Sequence, residues 1–418
     1  MTIYILKMKN NMTKALGMGL LAGVAVTGTA EAQSNDSLIK TLVKKGMLTE
    51  AEAASLRNES ANQEADAMAA WVESLSLKGD LRLRYDHTHD APDSGGPAED
   101  RWRYRFRFGG TANMQNGVKT GFRLATGDQD DIGSTNQTMD GSFDNDSIYL
   151  DQAWAQMEIG GVTVIGGKVP NFEKTGWKLS KALFDGDITP EGFEAHYSTT
   201  AGNFDVGFHG GAYFTSGEND SGNNINNLFL GQITASTSLS DNAKLDLGLG
   251  AYNIEDGDLT ADANKRKGNN SNVGYSPVFL DAALSLKTGP GVKLYGTWVN
   301  NQESSATKDT GYIGGLKFGS AKTAGQWEAK FEYRSLEADA VWDELADSDF
   351  GAFGASAASG DANEFKSGTN VEGSILQGKY MIYDNVQAVL TFMFTESEDG
   401  VNNDQDNTRV QADLIFKF

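Results

Sequence analysis

The sequence predicts an all-β protein, a 16-stranded antiparallel β-barrel that crosses a membrane, preceded by a short helical module. Three observations carry that prediction. The stretch RWRYRFRFGG at 101–110 alternates Arg101, Arg103, Arg105 and Arg107 with Trp102, Tyr104, Phe106 and Phe108. A β-strand points successive side chains to opposite faces, so it puts all the charges on one side and all the rings on the other. From Leu75 onward, sixteen segments with this kind of alternation follow one another. The connections between them alternate between short and long, as in barrels with tight turns on one side of a membrane and loops on the other.

The chain has 418 residues, no cysteine and a net charge of −22. An acidic protein lacks the basic footprint that nucleic-acid binding requires, so the arginine run is a local exception. Lys7, Lys9 and Lys14 precede an apolar stretch, Ala15 to Gly28, and Ala30-Glu31-Ala32 has the A-x-A form of a cleavage site. Residues 1–32 therefore read as a signal peptide, too short in its apolar part for a membrane span. An exported chain without cysteine has no disulfide scaffold.

Residues 33–74 read as a periplasmic helical module. Leu38, Ile39, Leu42 and Val43 share a helical face, and Gly46 is a helix stop. Thr49 and Glu52 have the spacing of a capping box that opens a second helix. So small a unit has too little core to stand alone, and it is expected to hold copies of the chain together.

The barrel, 75–418, begins with SLSLKGDLRLRYD, which sets Arg82 and Arg84 on one face. RWRYRFRFGGTA and VKTGFRLAT are joined by the tight QNG turn, and SIYLDQAWAQMEI and VTVIGGKV by GG. EGFEAHYST, FDVGFHGGAYF, NLFLGQITASTSL, KLDLGLGAYNI, PVFLDAALSLK, VKLYGTWVN and GYIGGLKFGS continue the series. In QWEAKFEYRSL the alternation turns Trp327, Phe331 and Tyr333 outward and Glu328, Lys330, Glu332 and Arg334 inward. ILQGKYMIY, VQAVLTFMF and TRVQADLIFKF complete the count, with Val410, Ala412, Leu414, Phe416 and Phe418 facing out at the end. The long connections are rich in Asp, Asn, Ser and Gly and hold most of the acid.

The opening stretch by itself fits a soluble sheet with buried rings, a nucleic-acid surface, or a barrel strand with rings to lipid and arginines to water. The sorted connections favour the barrel. Arg82, Arg84, Arg103, Arg105, Arg107 and Arg123 then form a basic wall lining the pore. The insert 171–192, NFEKTGWKLSKALFDGDITPEG, carries Glu173, Asp185, Asp187 and Glu191 and is the candidate for a loop folded into the lumen as a constriction. Its own Lys174, Lys178 and Lys181 blur the charge, and an ordinary outer loop is the alternative. The segment 337–370 contains Val341, Trp342, Leu345, Phe350 and Phe353, apolar residues that suggest folding inward or packing on a neighbour. His87 and His89 in DHTHD read as part of a polar outer loop rather than a metal site. The acidic loops lack the ligand spacing of a calcium loop. His196 and His209 fall on lumen faces with no nucleophile beside them, and no G-x-S-x-G, phosphate loop or cysteine ligand occurs. The residues call for no cofactor.

The signal peptide, LIKTLVKKGMLTEAEA, VIGGKVPNF, LFDGDITPEG and the ending RVQADLIFKF together resemble the bacterial Putative porin family of the outer membrane. The resemblance implies a 16-stranded porin, not an enzyme. It would be a water-filled channel for passive diffusion of small hydrophilic solutes and ions, set in outer-membrane lipid and lipopolysaccharide. It further implies insertion by the barrel assembly machinery through the terminal Phe418, and, by analogy to porins in general, a homotrimer. A plugged or gated barrel acting as a receptor or adhesin, and an outer-membrane lipase with a Ser-His pair near the rim, are the alternative readings.

Overall fold

The computed structural model describes residues 40, 42–45, 48–55, 72–90, 99–128, 131–141, 143–216, 226–255, 269, 273–351, 368–398 and 406–418. The expected signal peptide and most of the helical module lie outside them. The chain divides into two units at Ser74 and Leu75. In the first, residues 50–55 are helical and the capping box is made in both directions. Thr49 N donates to Glu52 Oε2 (2.8 Å) and Glu52 N donates to Thr49 Oγ1 (3.2 Å). These hydrogen bonds to Thr49, the backbone one foremost, hold the Glu52 carboxyl below its ordinary value.

The second unit is one closed antiparallel sheet. Its strands are β1 (Val72–Asp90), β2 (Glu99–Met114), β3 (Lys119–Thr126), β4 (Gln137–Thr138), β5 (Ile148–Ile159), β6 (Val162–Lys168), β7 (Glu191–Ala201), β8 (Phe204–Ser216), β9 (Asn226–Ser240), β10 (Ala243–Glu255), β11 (Pro277–Leu286), β12 (Val292–Asn301), β13 (Thr310–Gly319), β14 (Trp327–Leu336), β15 (Val371–Tyr383), β16 (Val386–Ser397) and β17 (Asp406–Lys417). Sixteen of them are the sixteen alternating segments. The extra one, β4, is two residues of the long connection 127–147 laid against β2, with Arg103 opposite Thr138. Two residues carry no readable period, so the sequence does not announce this strand. The structure also lengthens the first hairpin: DHTHD belongs to β1 and not to a loop, because β1 stays paired with β17 as far as Asp90.

Closure is the pairing of β1 with β17, from Asp80 opposite Lys417 to Asp90 opposite Asn407. It leaves no unpaired sheet edge, which a lipid environment would penalise. The short connections are tight turns. Gly160 and Gly161 join β5 to β6 with φ of 59° and 85°, the left-handed pair that a two-residue hairpin needs. Outward positions carry exposed apolar side chains around the barrel, among them Phe122, Phe208, Ile233, Leu249, Leu294, Phe331, Leu390 and Phe394. Trp327, Phe331 and Tyr333 are exposed as the alternation requires, while Glu332 and Arg334 are buried inside.

Phe418 fastens the seam. Its N–H donates to Gly79 O (3.1 Å), its carbonyl accepts from Gly79 N (2.8 Å), and its ring stacks on Phe106 at 6.2 Å. A Cβ at position 79 would overlap that ring, so Gly79 makes the approach possible. Deleting Phe418 removes both hydrogen bonds and the β2 contact, and the heat-modifiable folded fraction on semi-native gels should fall. An unchanged fraction would show that the seam closes without it.

Candidate functional site

The even-numbered face of β1 and the odd-numbered face of β2 point inward, so the arginines meet inside the barrel, together with acids from the same strands. Arg105 donates to Asp80 (2.7 and 3.0 Å) and Arg107 to the other oxygen of Asp80 (2.9 Å). Arg84 makes a two-pronged contact with Asp413 of β17 (2.7 and 2.9 Å). Arg409 does the same with Asp86 (2.8 and 2.7 Å), which also accepts from Arg101 (2.9 Å). Arg123 pairs with Asp151 on β5. Arg82 donates to Asn136 Oδ1 (2.5 Å) and Arg103 to the carbonyl of Asn136 (3.4 Å); neither has a carboxylate partner among the described residues.

Two chain segments enter the lumen. The insert after β6 turns in at Asn171, whose side chain caps the one-turn helix Phe172–Thr175 by accepting from Glu173 N (3.0 Å). Gly176, at φ 117°, ends that turn. Phe172, Trp177, Leu183, Phe184 and Ile188 then pack on inward-facing Tyr213, Leu228, Tyr252 and Phe279. The segment 337–351 folds in from the opposite side, burying Val341, Trp342, Leu345 and Phe350; Phe353 lies outside the described residues. The apolar residues of both loops are therefore the interior packing of the barrel.

The two segments lock together. Asp185 N donates to Leu345 O (2.7 Å), and Asp185 Oδ2 accepts from Ser348 N (2.9 Å) and Ser348 Oγ (3.1 Å). On either side of Ser348, Asp347 accepts from Arg334 (2.8 Å), and Asp349 accepts from Arg84 (3.2 Å) and meets Arg409 (3.0 Å). The run Asp347-Ser348-Asp349 thus ties β14, the insert and the β17–β1 seam. Asp187 completes the contact with the arginine wall, 3.2 Å from Arg107 and 3.9 Å from Arg105. Burial works against its ionisation, but Arg105, Arg107 and Arg82 hold its carboxyl down to about 2. Asp349 is likewise held far below the carboxylate range, Arg409 and Arg84 overcoming burial. Asp185 goes the other way, pushed up to about 7 by burial and then by Asp347 and Asp187.

A cavity of about 810 Å³ lies along these groups. Arg82, Arg84, Arg105, Arg107, Glu173, Asp185 and Asp187 line it; Arg103, Arg123 and Glu191 do not. Of the four acids in the insert, Asp187 meets the wall and Asp185 joins the loops. Glu173 is exposed to the cavity, and Glu191 opens β7 and pairs with Lys168 (3.2 Å). Beyond Asp187 a second cavity of about 850 Å³ is lined by Asp151, Glu191, Tyr213 and Trp342. His196 and His209 stand in the lumen with their Nδ1 atoms 2.9 Å apart, flanked by Glu194 and Thr234 and covered by Trp177. His87 is on the outer face of β1 beside Asp100 (2.8 Å).

Of the counter-acids, sequence reasoning named Asp187 but not Asp80, Asp86 or Asp349. Asp80 and Asp86 were legible, since they share the even face of β1 with Arg82 and Arg84. Asp349 was not, because nothing in a loop sequence states which wall it will touch.

Residues 96–273 and 269–418 match the profile of a family described as Putative porin. No curated protein matches the chain. Among solved structures, the OprB of Pseudomonas putida is similar, at a TM-score of 0.55 and 11% identity over 87% of this chain and 97% of that one. A triple mutant of the Rhodopseudomonas blastica porin aligns at a TM-score of 0.45 and 12% identity, over 82% of this chain and 100% of that one.

Proposed function

Because the chain belongs to the Putative porin family and is an outer-membrane channel for passive diffusion of solutes, we propose that its conducting path is narrowed where the insert 171–192 meets the arginine wall. Small hydrophilic solutes and ions pass beside that contact, along the cavity lined by Arg82, Arg84, Arg105 and Arg107 and by Glu173, Asp185 and Asp187, with Arg103 and Arg123 extending the basic wall. The observation that carries this reading is the Asp187 bridge to Arg105 and Arg107. Charges of both signs lining a narrow, low-dielectric passage focus a local field that orders water and disfavours apolar solutes. The path needs no catalytic group. Phe418 is recognised by the barrel assembly machinery, the acidic outer loops sit among lipopolysaccharide, and three copies associate.

Purified protein in a planar bilayer should give discrete, long-lived conductance steps. A barrel sealed by its interlocked loops would give none, and that result would favour the receptor reading.

Asp185 adds a pH dependence. Its carboxyl is raised to about 7, so the folded protein holds a proton that the unfolded chain, with an ordinary value near 4, has lost. The stabilisation is full below pH ~4 and is lost as pH rises through about 7. Acidification from pH 8 to 5.5 therefore relieves the repulsion of Asp185 with Asp347 and Asp187 and removes one negative charge from the path. Reversal potentials in asymmetric potassium chloride should move toward anions, and Asp185→Asn should flatten that step. An equal step in the variant would assign the titration elsewhere.

A further inference from the structure

We infer that the lumen holds a binding station for a multivalent oxyanion, a phosphate or polycarboxylate group, on a lysine belt near the short-turn rim. The inference rests on the channel reading. Lys244 of β10, Lys293 of β12, Lys317 of β13 and Lys330 of β14 lie in one cross-strand row. Lys244 and Lys293 both face Ser285, Lys293 is paired with Lys317, and Lys317 with Lys330. The row continues through Gln377, Thr391 and Gln411 with no carboxylate in it. Each lysine is within three residues of its strand's short-turn end. All four line the 810 Å³ cavity.

Like charges directly opposite on neighbouring strands repel at roughly 5 Å, so three adjacent lysines are costly unless something between them is negative. The wall's own acids reach only the ends of the row. Asp246 is already shared by Lys178 (2.9 Å) and Lys244 (3.0 Å). Glu332 is held by Arg334 (2.7 Å) and Tyr295, with Lys330 at 3.6 Å. Glu328 pairs with Lys379 (2.9 Å), and Asp281 accepts from Thr297 (2.5 Å). Lys293 and Lys317 have no carboxylate partner among the described residues; Lys317 stands 5.6 Å over the Tyr295 ring. The arginine wall is the contrast, since Asp80, Asp86, Asp187, Asp349 and Asp413 are bound into it. Among the described residues, Arg82 and Arg103 also lack a carboxylate partner, but they stand among these five acids, whereas Lys293 and Lys317 are unpaired and directly opposite each other.

The spacing selects the ligand. A chloride ion neutralises one ammonium group, whereas an oxyanion with two charges and three or four acceptor oxygens can take hydrogen bonds from neighbouring lysines at once. Gln377 and Thr391 offer further polar partners along the row.

The probe is inorganic phosphate. Added at millimolar concentration, it should reduce the chloride current of the wild-type channel saturably. Lys293→Gln with Lys317→Gln should raise the half-blocking concentration by about tenfold or more, the scale of losing charged hydrogen bonds. Steps in potassium chloride alone should persist, and the folded band should be retained or strengthened because repulsion is relieved. Calorimetric titration of the folded protein with phosphate reads the site without conduction, so steps without phosphate binding overturn the station and leave the channel standing. Equal block by gluconate and phosphate, or equal block of wild type and variant, also overturns it.

Discussion

Replacing Arg105 and Arg107 together by Ala is expected to shift the channel several-fold toward cations. The two guanidinium groups are shared between Asp80 and Asp187, at 2.7–3.9 Å. Their removal takes two positive charges from the path and leaves Asp80 and Asp187 without their nearest cations, so the local field moves toward negative. The shift in reversal potential should be larger in 0.1 M salt, where the screening length is about 10 Å, than in 1 M, where it is about 3 Å. Asp187→Asn should act in the opposite direction, toward anions. Because Asp187 is also the insert's hold on the wall, both variants should show more open-channel noise. An unchanged permeability ratio in the double variant would place the narrowest field away from this wall.

A charge introduced on the outer face should prevent folding where a charge introduced on the inner face does not. Phe106 on β2 and Phe331 on β14 point outward, Phe331 strongly exposed and Phe106 against Phe418. Phe106→Arg or Phe331→Arg would each set a charge against hydrocarbon at about 2–4 kcal/mol near the midplane, and Phe106→Arg also loses the seam contact. The heat-modifiable band should be lost or much reduced. Thr391→Lys, on the lumen face of β16 and lining the cavity, should fold, since its neighbours there, Gln377 and Gln411, are polar. If Phe106→Arg folded and Thr391→Lys did not, the two faces of the wall would be reversed.

The strand count, the inward arginines, the outward rings and the Thr49–Glu52 cap were all legible from local pattern, because each depends only on a period of two or on a three-residue spacing. The inward turn of the two loops was legible only as composition: the acids of 171–192 suit a basic wall, and Val341, Trp342 and Leu345 are too apolar for a water-exposed loop. Which residues they would bury against was not legible. The lysine belt was half visible. Lys293, Lys317 and Lys330 each occupy an inward position by alternation, but their alignment depends on register, set by hairpins between them and not by any one strand.

By itself, then, the sequence determined the barrel: alternation assigns each side chain a face, turn chemistry assigns each connection a side, and both are properties of a few consecutive residues. Only the tertiary structure decided the interior. Asp349 reaches Arg84, and Asp185 reaches Ser348, across separations of more than a hundred residues, and Asp349 reaches Arg409 across 60. The pairings of Asp349 are set by closure of β17 on β1, which brings the barrel's first and last strands together and fixes which of their charges share the lumen. A carboxylate in a loop has no periodicity to reveal its partner, and the partner is the nearest cation left once the wall has closed.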